Sequence, residues 1–223
     1  MDLNLEKHKP KFYEMKISED DSDDTSIEFI SLVDTPAIQQ NWFAFANENQ
    51  SKFEYKIASE DKMILTGPIM IPNFPIIRFD KVTKEPFFFY ATPENVEIMM
   101  KKFARKNFNN NINEMHTDKM VNAYVFESWK VENPEKDKSS IHSTDSKAGE
   151  WWGSVQITNK EYWKENIKSG KLKGFSIEGI ANFELVETPH FSLKSEIQVS
   201  ENDLLIEVQN LLDQLEEKLK TNK

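Results

Sequence analysis

The chain has 223 residues, no cysteine and a formal net charge of −10. That length suits one domain, or one domain with an appendage. The missing cysteines exclude disulfides, a thiol nucleophile and thiolate metal sites. The acidic balance argues against nucleic acid as a partner, because affinity there comes largely from neutralising phosphates.

Residues 1–26 are polar and end in "SEDDSDDTS", whose run of acids reads as a flexible, solvated N-terminal segment. The start "MDLNLEKHKP" has no apolar core of a signal peptide. No apolar run approaches the ~20 residues that a spanning helix needs, so no membrane partner is expected. "IEFISLVDTPAI" (27–38) reads as a short apolar strand stopped by Asp34, Thr35 and Pro36. "MILTGPIMIPNFPIIRF" (63–79) gives two or three short strands. Pro68, Pro72 and Pro75 remove ladder donors, which predicts edge strands or strand ends. "EPFFFYA" is another strand.

"TPENVEIMMKKFARKNF" is a helix, with Thr92 as cap and Pro93 at the first helical position. Val96, Met99, Met100, Phe103 and Ala104 recur at helical spacing and predict its buried face. The Asn-rich stretch "NNNINEMHTDKM" is a loop carrying His116. Strands follow at 121–132 and 151–158, separated by a long polar loop. "NKEYWKENIKSG" is a helix with a glycine stop, and "KGFSIEGIANFELVE" is a further strand. The last segment opens with Ser200 and Asp203 in capping positions. Leu204, Val208, Leu211, Leu215 and Leu219 then fall close to a coiled-coil seam. The fold class is therefore α+β: β-rich with a few helices, then a separate C-terminal helix. The expected organisation is a flexible segment 1–26, a domain 27–186, a linker 187–199 and an amphipathic helix 200–223.

Most familiar site chemistry fails on spacing. The G-x-S-x-G elbow needs a glycine where Glu178 stands. His8, His116, His142 and His190 show no H-x-x-x-H pair, so metal is not implied. No P-loop or G-x-G-x-x-G appears, and no cofactor is called for. What remains is Ser176 with a histidine. A hydroxyl becomes a useful nucleophile only when a base takes its proton. His116, sixty residues earlier in a loop, is the candidate. The spacing also fits a surface histidine and an ordinary strand serine.

The ordered series "FISLVDTPAI", "MILTGPIMIPNFPIIRF", "FFFYATPENVEIMMKKF", "NNNINEMHTD", "VFESWKVE" and "WWGSVQITNKEYWKENIKSGKLKGFSIEGI" resembles the XkdF-like phage serine proteases. These are grouped with the prohead maturation proteases of tailed phages. The pair "N-x-x-H" and "GFS-[IV]-EG" carries the resemblance best. It implies a small β-barrel of herpesvirus-assemblin type ringed by helices, with Ser176 as nucleophile and His116 as base. It also implies peptide hydrolysis through an acyl-enzyme, with scaffold and major capsid proteins, and the chain itself, as substrates. The place would be the host cytoplasm during assembly, inside the prohead. The glutamate of the related family segment aligns with Phe29, which is not an acid, so the resemblance carries over no third member there. Glu127, on the strand after His116, is taken first; Glu178, Asp34 and Asp118 are the other candidates. The leucine seam would meet scaffold or a second copy, and a self-cut at 185–200 would release it. The competing expectation is a capsid-associated structural protein that keeps the fold without catalysis.

Overall fold

The computed structural model describes residues 11–34, 54–79 and 86–186. The leucine seam of 200–223, the 187–199 linker and His190 lie outside these described residues. Among the described residues, eleven strands form three sheets. The first contains β1 (Lys11–Lys16), β5 (Ile76–Phe79), β6 (Pro86–Tyr90) and β11 (Asn182–Val186), in the order β11-β1-β6-β5. In the second, β2 (Ser26–Val33) lies between β10 (Gly174–Ile180) and β7 (Ile112–Glu114). The third joins β3 (Lys56–Ser59), β4 (Ile64–Met70), β9 (Trp151–Ile157) and β8 (Ala123–Lys130) in the order β3-β4-β9-β8. No helix among the described residues is long and apolar enough to cross a membrane.

The fold class is α+β as expected, but among the described residues the sheets do not close into a barrel. β7 is three residues long, and on its outer side it meets a single bridge, Asn113 to Met120, instead of a strand. The ladder therefore stops before it can pass to β8.

Helix α1 (Pro93–Arg105) starts as the sequence predicts, with the Thr92 side chain accepting from the Asn95 N–H. Its buried apolar face is Val96, Met99 and Phe103, with Met100 partly buried. Ala104 is exposed, and Lys102 is buried in its place. Phe103 meets Trp151 edge-on at 5.5 Å and joins the helix to the third sheet.

The acidic segment departs most from expectation. Lys11–Lys16 is a strand, antiparallel to β11 and parallel to β6. The loop that follows is folded around the Lys102 ammonium. That group is fully buried and donates to the carbonyls of Ser18 (3.0 Å), Asp20 (2.7 Å) and Asp23 (3.1 Å). Arg105 adds a fork onto the Asp21 carboxylate. A buried cation is tolerable when its hydrogen bonds are complete, and here backbone oxygens complete them. The acid run is thus wrapped on a helix and not free.

Pro68 likewise does not mark a simple edge strand, because β4 lies inside its sheet. β3 pairs with β4 only from Ile64 to Thr66, so Pro68 falls where that neighbour has ended. The β4–β9 register also slips between Pro68 and Met70. Both features suit a residue without an N–H. The preceding Gly67 lets the Tyr55 backbone cross, since a Cβ there would lie 2.8 Å from Tyr55 Cα. Tyr55 then holds the approach to β10. Its N–H donates to Lys173 O at 3.0 Å and its hydroxyl to Leu172 O at 2.5 Å.

Removing the Lys102 ammonium would take from the Ser18, Asp20 and Asp23 carbonyls the one donor they share. Lys102→Met is expected to lower unfolding free energy by about 2–4 kcal/mol in urea titrations. A variant as stable as the parent would show that the loop does not depend on this group.

Candidate active site

Ser176 sits in the middle of β10, which runs antiparallel to β2. β2 runs parallel to β7 on its other side. The two registers set Ser176 opposite Ser31, and Ser31 opposite Asn113. Three polar side chains therefore form one row across the sheet. Strand side chains alternate, so Glu178 shares the face of Ser176, while Phe175 and Ile177 point the other way. Phe175 is buried against the Tyr55 ring at 5.2 Å, which fixes which face turns inward.

His116 reaches this face from the turn after β7. The Met115 N–H donates to Leu32 O at 3.0 Å. Met115 and His116 then both take left-handed backbone conformations, with φ of 55° and 56°. Such residues cost on the order of 1 kcal/mol each and persist only where neighbours enforce them. Here Thr117 caps Glu114 O with its N–H (3.1 Å) and its hydroxyl (2.6 Å). The Glu114 N–H donates to Lys119 O at 3.0 Å, and Lys119 Nζ reaches the Glu114 carboxylate at 2.7 Å. Burial works to raise the pKa of Glu114, but Lys119 and further partners outweigh it and hold the carboxyl below its ordinary value.

The imidazole lies over the row. Its Nε2 is 3.1 Å from Ser176 Oγ. Its Nδ1 is 3.0 Å from Ser31 Oγ and 3.3 Å from Glu178 Oε2. Asn113 links the last two: its Oδ1 accepts from the Ser31 hydroxyl, and its Nδ2 donates to Glu178 Oε2 at 3.2 Å. Ser31 and Asn113 are buried, at 0% and 3% exposure, and Ser176 is 3% exposed. The side chains of His116 and Glu178 are 37% and 41% exposed. A buried hydroxyl thus lies under an imidazole that solvent reaches.

The structure brings His116 and Ser176 together and leaves Glu127 apart from them. Glu127 belongs to β8 in the third sheet. It pairs with Lys138 Nζ and accepts from the buried Ser154 hydroxyl at 2.9 Å. Burial works to raise its pKa, but Lys138 and Ser154 keep the carboxyl below the ordinary range. Its task is local, since Lys138 begins the polar segment 138–150. That segment is ordered: Ser139–His142 is a short helix (α2), Ser146 reaches Ser139 at 3.2 Å, and Asp137 caps the N–H groups of Glu132 and Asn133. Nearness in sequence to His116 suggested Glu127, but β8 turns into a different sheet. Asp34 and Asp118 are exposed and neither hydrogen-bonds the ring. The carboxylate beside His116 is Glu178.

Gly179 has a packing reason. The β10–β2 register shifts between Glu178 and Gly179, and a Cβ there would lie 2.0 Å from Ser26 O. Only glycine lets the strands approach so closely beside this bulge. Among the described residues, no cluster of three or more His, Asp or Glu could hold a metal ion. The arrangement of a hydroxyl, an imidazole and a carboxylate in series suits proton transfer from the hydroxyl and nucleophilic attack.

A family profile described as "Putative phage serine protease XkdF" matches residues 52–184. The matched span contains His116, Ser176 and Glu178, and it leaves β1 and β2 outside. No curated protein and no solved structure matches the chain.

If Glu127 anchors segment 138–150 only, Glu127→Ala should speed amide exchange across 132–146 and leave exchange in β2, β7 and β10 unchanged. Faster exchange at His116 or Ser176 would instead tie Glu127 to the site.

Proposed function

The chain belongs to the XkdF family of phage serine proteases, and we propose that it is a prohead maturation protease that cuts scaffold and capsid proteins through an acyl-enzyme. The observation that carries this reading is the 3.1 Å separation between His116 Nε2 and Ser176 Oγ. That is within reach for direct proton transfer.

The steps follow from the geometry. His116 Nε2 takes the Ser176 proton as Oγ attacks the scissile carbonyl carbon. The tetrahedral intermediate collapses, the C–N bond breaks, and the imidazolium returns its proton to the departing amine. Water then repeats the sequence against the ester: His116 removes its proton, the acyl–oxygen bond breaks, and Ser176 is restored. Glu178, close to Nδ1, supplies negative charge beside the imidazolium formed in each half. The acid therefore comes from two residues beyond the nucleophile on the same strand. It also lies directly across from Phe29, the position where the resemblance places the family's glutamate.

The test is co-expression with the phage's scaffold and capsid proteins, read by intact mass. Wild type should give shortened products, including any self-cut at 185–200, and Ser176→Ala should give none. Identical masses in assembled proheads of both would leave a structural protein that keeps the fold.

A second comparison separates the carboxylates. Glu178→Gln should slow processing roughly 10-fold or more, because the imidazolium loses its countercharge. Glu127→Gln should stay within about 2-fold of wild type, as expected for a carboxylate outside the site. The reverse order would return the third role to Glu127.

A further inference from the structure

We propose that Ser31, held by Asn113, is the positioning residue that fixes the tautomer and tilt of His116, an inference that rests on His116 acting as the base. Ser31 lies outside the residues matched by the family profile.

Hydrogen-bond directions carry the argument. Glu178 Oε2 can only accept, so the Asn113 group facing it at 3.2 Å must be the donating Nδ2. The opposite orientation would set two acceptor oxygens against each other. Asn113 Oδ1 then faces Ser31, and as an acceptor it requires the Ser31 hydroxyl to donate. Ser31 has a single proton, and that proton is now committed. Toward His116 Nδ1, 3.0 Å away, Ser31 Oγ offers only a lone pair. The hydrogen on that contact must therefore belong to the imidazole. Nδ1 carries the proton, Nε2 is bare, and Nε2 is the atom facing Ser176 Oγ. Neutral imidazole in this tautomer is the form able to accept the nucleophile's proton.

Glu178 asks for the same tautomer, but it is a looser guide. Its contact is 3.3 Å and its side chain is 41% exposed, so water competes for it. Ser31 is 0% exposed and the Asn113 amide beside it is buried, so their directions have no solvent alternative. The two partners divide the work: the buried hydroxyl sets the ring's orientation, and the carboxylate sets the charge near it. The left-handed backbone at Met115 and His116 delivers the ring to this position, and Ser31 stops it turning there.

The experiment is nitrogen-15 NMR of the His116 ring in the full chain, above the pH at which the ring is neutral, together with processing kinetics. Wild type should show a protonated Nδ1 and a bare Nε2. Ser31→Ala should give averaged ring shifts from exchanging tautomers, with kcat falling roughly 10-fold and KM little changed. Ser31→Thr, which keeps the hydroxyl, should restore both readouts. Should the alanine variant misfold, Ser31→Cys is the substitute, because its sulfur fills the space and accepts poorly. A wild-type ring protonated at Nε2, or a Ser31→Ala or Ser31→Cys ring that keeps a pure Nδ1–H form, would overturn the proposal. If the tautomer follows Ser31 while Ser176→Ala leaves processing intact, the positioning network stands and the protease assignment fails.

Discussion

β2 is bordered by antiparallel β10 on one side and parallel β7 on the other, and the registers of these two pairings decide everything at the site. Ser176, Ser31 and Asn113 share a row only because β2 meets each neighbour at one offset. A slip of one residue on either side would turn a whole strand's side chains to the opposite face. The packing resists that slip. Ile30, Leu32, Ile112 and Phe175 fill the inner face and are essentially unexposed. Moving them outward would expose apolar area worth about 1.5–3 kcal/mol per side chain. Hydrophobic burial on one face thus sets the polar geometry on the other.

The rest of the molecule supports this three-stranded unit from its edges. Tyr55, passing over Gly67, ties the third sheet to the residues that lead into β10. α1 packs its apolar face toward the core while Lys102 gathers the loop that leads into β2. The Glu114–Thr117–Lys119 turn delivers His116. Each device sits just before or after one of the three site strands, so the constraints apply where each strand enters or leaves the sheet.

Much of this was readable from residues alone. The α1 cap, the strand around Ser176 and the pairing of Ser176 with His116 follow from local pattern or family resemblance. The acid did not. Glu127 follows His116 closely along the chain, but sheet membership is a long-range property that spacing does not encode. Glu178 was nearer to hand, because two residues along a strand share a face. Ser31 went unnoticed, yet "FISLV" held a usable signal: a hydroxyl inside an apolar, buried strand must find a partner. The folded acidic segment was hidden for a different reason. Its organiser, Lys102, stands some 80 residues away and looks like any helix lysine until its burial is known.

The chain order of the site strands also sets when the centre can exist. Ser31 and Ser176 stand 145 residues apart, and β1 at the start pairs with β11 at the end of the described fold. At synthesis rates of about 5–20 residues per second, roughly 7–30 s separate their emergence from the ribosome. Through that interval β2 has no β10, and His116 has no Ser176 beside it. Pairings this distant are also among the slow steps of folding. Ser176 arrives with one of the last described strands, so the topology itself delays the meeting of this hydroxyl with the imidazole until late in folding.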